Sequence, residues 1–185
     1  MGNEVTRAPH ADSAIACADR LVRSGPGVGV LTAVAKELGF KVHYDEGEPI
    51  ASGLAMNGED PVLSFSHRHG VLVSVESCLW FWSSVREDYG SERSYLEARA
   101  RFDAAFEMEA RTLGALFGPP TVAGLTTDVR AFCSVAWELP TCLVVALQTD
   151  HDPQAGTNIL LWIDFGRRRV PRPPPADIAL WLLDE

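Results

Sequence analysis

Two spacings of apolar residues alternate along this chain. Between positions 12 and 38 apolar residues recur every three or four positions. Ile15, Ala18 and Val22 share one face of a first helix, and Leu31, Val34, Ala35 and Leu38 share a face of a second. Asp12 or Ser13 is placed to cap the first, Ser24 and Gly25 end it, and Gly39 stops the second. Residues 1–10 carry no such period and are expected to fray.

From position 40 the period drops to two, the spacing of a half-buried strand. "FKVHY", "PIASGLAM", "PVLSFS" and "VLVSVESCLWFW" read as a four-stranded antiparallel meander. "DEGE" and "NGED" turn it, with Asn57-Gly58 a strong hairpin signal. After the polar loop "SSVREDYGSER", Ser94 and Glu97 form an S-x-x-E capping box. The long helix behind it sets Phe102, Phe106, Leu113 and Phe117 on one stripe and stops at Gly118-Pro119-Pro120. Strands follow near "TVAGL", then at "FCSVAWEL", "TCLVVALQT" and "NILLWIDF". "GRRRVPRPPP" is an extended basic linker, and Asp177 caps a closing helix with Ile178, Trp181 and Leu182 on one face.

This pattern predicts an α+β fold: antiparallel β meanders, as two sheets or one, with helices packed on one side. Residues 1–185 are expected to form a single compact domain, with 166–185 as linker plus closing helix. The halves 11–82 and 94–165 rhyme: helix, glycine stop, antiparallel strands. A duplicated α-then-β unit and chance recurrence of common elements both explain that.

Composition narrows the function classes. A hydrophobic share of 46% is enough for a core, and a net charge of −9 repels phosphate backbones and anionic lipid surfaces. The expected partner is therefore a basic protein, with no nucleic acid and no membrane, and a monomeric or homodimeric state. No apolar run approaches the roughly 18 residues of a membrane span. Cys17, Cys78, Cys133 and Cys142 are scattered without a CxxC pair, which predicts reduced, mostly buried thiols in a cytoplasmic protein. "MGNEVT" fits the myristoylation pattern of Gly2 and Thr6, a short pattern that recurs by chance.

The one histidine pair is His67 and His69 in "SHRHG". On a continuous strand both would point the same way, as metal ligands must. In the cupin metal motif a Glu closely follows H-x-H, whereas Glu76 stands seven residues beyond His69. Alternation on both sides makes "HRHG" a turn, with His-Gly suited to positive φ. In a meander this turn shares an end with the turn at 45–48, which carries Asp45, Glu46 and Glu48. At the opposite end, Glu59, Asp60, Glu87, Asp88 and Glu92 converge. These five are the expected partner-binding residues, since such charge raises on-rate and specificity toward a basic protein.

Other motifs carry less. "GPGVG" lacks the preceding strand and following Lys of a phosphate loop and reads as a helix–helix connector. "DHD" at Asp150–Asp152 matches no calcium loop. "RRRVPRPP" fits R-x-x-P-x-x-P, but a linker lets the last helix pack. No catalytic residue, metal or cofactor is assigned.

The stretches "LGALFGPPTVAG", "SVAWELPTCLVVAL" and "NILLWIDF" resemble small bacterial immunity proteins of polymorphic toxin systems, over about residues 95–165. The resemblance is one of texture: a helix with a Gly-Pro stop, a Trp-bearing strand, a hairpin. It transfers no functional residue. It implies a non-enzymatic protein that neutralises a cognate toxin by occluding its active site. The alternatives are a secretion- or folding-type chaperone that binds client segments, and a metal-dependent hydrolase using His67 and His69.

Overall fold

A computed structural model describes residues 4–45, 51–82, 90–124, 132–149, 157–166, 169–175 and 178–183. The first helix, α1 (Ala11–Ser24), buries Ala14, Ile15, Cys17, Ala18 and Leu21 at helical spacing and stops at Gly25, whose φ is 97°. Neither expected cap is used. The helix starts behind His10, with no side-chain cap, and Asp12 lies in the first turn with its carboxylate 2.6 Å from Arg7. The second helix, α2 (Val28–Glu37), buries Leu31, Val34 and Ala35. "GPGVG" is a connector that docks on the sheet: the Leu72 amide donates to the Pro26 carbonyl (2.6 Å), and the Val28 amide to the Gly70 carbonyl (3.0 Å).

The frayed segment expected before α1 is partly ordered: β1 (Val5–Arg7) is a strand. The first meander runs through β2 (Lys41–Asp45), β3 (Ala51–Asn57), β4 (Asp60–Arg68) and β5 (Val71–Trp82). Then come α3 (Glu92–Phe117), β6 (Val122–Gly124), β7 (Ser134–Glu138), β8 (Leu143–Thr149), β9 (Thr157–Asp164) and α4 (Ile178–Leu183). The capping box expected at Ser94 and Glu97 sits elsewhere. Ser91 caps α3, its hydroxyl accepting from the Ser94 amide at 3.2 Å, while Glu97 pairs with Arg93. Asp177 lies outside the described residues.

Among the described residues nine strands pair antiparallel in one sheet, ordered β2-β3-β4-β5-β9-β8-β7-β6, with β1 beside the far end of β5. Each meander thus meets the other through its last strand, and the two run outward in mirrored order. The question of two sheets or one is settled in favour of one. The expected α+β layout is the observed one for α1, α2 and α3, which pack on one side of the antiparallel meanders, while the short α4 lies on the other.

Strand alternation sorts β8 between two clusters. Val144 and Ala146 join the main core under α1, α2 and α3, which also takes Phe65, Val75, Trp82 and Ile163 from the two meanders and Phe102 and Phe106 from α3. Leu143, Val145 and Leu147 face the other way, onto Val170, Ile178 and Leu182. The six-residue α4 and the segment before it therefore cover the opposite face of the second meander.

Candidate functional site

The acidic end is built by a tight turn. Gly58 (φ 64°) and Glu59 link β3 to β4, with Asn57 paired to Asp60. Glu59 and Asp60 are exposed and adjacent. Asp60 is engaged with His10, whose Nε2 lies 3.8 Å from its carboxylate, and the Asn57 amide lies 3.4 Å from the other ring nitrogen. Glu92 is exposed in the first turn of α3, where the helix N-terminus favours a carboxylate. Glu87 and Asp88 lie outside the described residues. The structure therefore joins Glu59 to Asp60 and sets Glu92 on a separate element.

His67 and His69 do different things. His69 (φ 51°) and Gly70 (φ 77°) form the two-residue turn between β4 and β5, as the sequence indicates. His67 stands two residues beyond Phe65 on β4 and so shares its face; its ring stacks on Phe65 at 6.2 Å and meets Tyr44 edge-on at 6.1 Å. Glu46, Glu48 and the Asp45 side chain lie outside the described part. Among the described residues, no three His, Cys, Asp or Glu side chains group as a metal requires.

The outward face of the sheet is asymmetric. One row of paired residues runs Ser52, Ser66, Ser74, Asp164, Leu143; the next runs His43, Leu54, Ser64, Glu76, Trp162, Val145. Over β8 the rows are apolar and covered. Over β3, β4 and β5 they are four serines with Leu54 and Glu76, and they floor a shallow trough of about 330 Å³. Leu54 (37% exposed) lines the trough, and Phe81 (45% exposed) stands on the same face of β5. The covered half is held by Glu138, which accepts from the Val170 amide (2.8 Å) and Arg172 (3.1 Å).

One charged centre escaped the sequence reading. Glu109 is fully buried, and its Oε1 accepts from Arg7 Nε (2.8 Å) and from the Trp80 indole (2.9 Å). The Asp12 carboxylate, and then Glu109, hold the Arg7 guanidinium above its ordinary value, and Arg7 in turn lowers Asp12. A signal was present: position 109 falls on the stripe of Phe102, Phe106 and Leu113. A carboxylate there must be buried with a cation brought to it.

The four cysteines are free. Burial pushes the thiols of Cys17 and Cys78 up to about 12 and that of Cys142 up to about 11, and it raises Cys133. They are held protonated at neutral pH, which makes them weak nucleophiles. No helix among the described residues is long and apolar enough to cross a membrane. No family model, curated protein or solved structure matches the chain.

Proposed function

We propose that this chain is a non-enzymatic protein-binding module, acting in the cytoplasm as an immunity protein that covers the active site of a basic toxin. The asymmetry of the outward sheet face carries the reading. The chain covers one half with its own α4, while among the described residues none covers the other half, where Leu54 and Phe81 are exposed. Glu59 and Asp60 stand at the edge of that half, in the turn that joins β3 to β4. An apolar contact beside carboxylates suits a basic protein surface: the apolar part supplies affinity, and the charges supply on-rate and register. The net charge of −9 adds long-range attraction for such a partner.

The test asks whether a toxin-like protein is encoded beside this one and, with that protein as partner, measures affinity by calorimetry at low and at moderate salt. Tight binding is expected, weakened about tenfold by added salt and about tenfold again in the Glu59→Gln, Asp60→Asn double variant. An affinity indifferent to salt and to both substitutions would overturn the reading.

A further inference from the structure

One edge of β5 has two successive neighbours. β4 pairs with its first part, from Val71 to Glu76. Beyond that, β1 takes over, Arg7 facing Trp80, Thr6 facing Phe81 and Val5 facing Trp82. A ladder of three residues is a weak anchor. What seats this one is a side chain: Arg7 Nε donates to Glu109, whose side chain is only 1% exposed.

That pairing is unevenly shared. Glu109 Oε1 receives both the Arg7 and the Trp80 hydrogen bonds, whereas Oε2 is buried with no hydrogen-bond partner among the described residues. Meanwhile an Arg7 terminal nitrogen is drawn away to Asp12, which is 85% exposed. A buried carboxylate requires a cation, and a guanidinium that turned two nitrogens on it would satisfy both oxygens. An extended segment with an apolar residue at the place of Val5 and an arginine at the place of Arg7 meets every requirement of this edge. Asp12 stays beside that place on α1, so the arginine of such a segment would find the same two carboxylates that Arg7 finds. The backbone beyond β1 has its own anchor, since the buried Ala8 donates its amide to Leu79 at 2.8 Å. Residues 5–7 can therefore leave without freeing α1.

We propose that the β5 edge along Trp80–Trp82 is a strand-acceptor site, where an extended, arginine-bearing segment of a protein partner exchanges with β1 and pairs with Glu109. This rests on the reading of the chain as a binder of basic proteins, and it names the part of the partner that is taken up. Recognition follows strand addition: main-chain bonds give affinity, and alternate side chains give specificity.

The probe is a fluorescein-labelled peptide with the chain's own sequence NEVTRA, and a second peptide with alanine in place of its arginine. Each is titrated by fluorescence anisotropy into the full-length chain, its Arg7→Ala variant, and the Arg7→Ala, Glu109→Gln double variant. The Arg7→Ala variant should bind NEVTRA about tenfold or more tighter than the unaltered chain, because its own strand is loosened while the acceptor carboxylate remains. The arginine-free peptide and the double variant should each lose that binding. Equal binding by the variant and the unaltered chain, or equal binding of both peptides, overturns the proposal.

Should Arg7→Ala fail to fold, native-state hydrogen exchange of the unaltered chain decides. Amides of Val5–Arg7 should exchange through a local opening, far faster than those of β5 and β9. Equal protection would mean that β1 leaves only on global unfolding, and the proposal would fall. Neither readout involves a toxin, so failure here leaves the acidic docking reading to its own salt test.

Discussion

At Gly53 a methyl group has nowhere to go. A Cβ built on this backbone would fall well inside contact distance of the Phe65 ring and of the His43 carbonyl oxygen. The backbone at this position is ordinary extended strand, so the neighbours and not φ demand glycine. Phe65 lies over the gap, and Tyr44 meets it edge-on with centroids 5.8 Å apart. Gly53→Ala should therefore lower stability by about 1–3 kcal/mol, read as a lower urea midpoint at unchanged slope. A midpoint equal to that of the parent would mean that the Phe65 ring swings aside freely. The sequence shows only a glycine within an alternating strand; the aromatic ring that needs it comes from the next strand. Glu109 was open to reading from its place on the apolar stripe of α3, but its partner Arg7 lies 102 positions away, and no local pattern points to it.

At the scale of elements, periodicity and turn chemistry carried most of the reading. The two spacings locate α1, α2, α3 and the strands of both meanders. Gly58, His69 and Gly70 mark turns because few residue types accept their positive φ. What failed were short or overlapping signals. β1 is three residues long, too short for a period, and only tertiary pairing makes it a strand. At the start of α3, Ser91 and Ser94 stand three apart, so two capping patterns overlap. The chain uses the earlier one, gaining a further turn with Arg93 paired to Glu97. This separates the two serines energetically. Ser91→Ala removes the acceptor of the Ser94 amide and should cost about 1 kcal/mol in chemical denaturation. Ser94→Ala leaves that amide bond in place and should cost only a few tenths. Equal costs would show that the helix start is not set by Ser91.

Over the whole molecule, the pairing of β5 with β9 decides how the halves behave. It joins residues some 80 positions apart, as in Cys78 with Leu160, so no local spacing could announce it. The main core then crosses the seam, holding Phe65 and Val75 of one meander with Ile163 and Val144 of the other. Stability shared in this way should be lost in a single step. Trp82 in the first meander and Trp137 in the second are both fully buried, so tryptophan fluorescence reports on each half, while far-UV circular dichroism reports on the backbone of both. In urea the two curves should coincide. A cavity cut at the seam gives the sharper form of the test. Leu161 is 2% exposed and lies between Ser77 of β5 and Ala146 of β8. Leu161→Ala should cost about 2–5 kcal/mol and move both curves to lower urea by the same amount. If fluorescence instead splits into two transitions, with the substitution shifting only one, the meanders are separate folding units that merely share an edge.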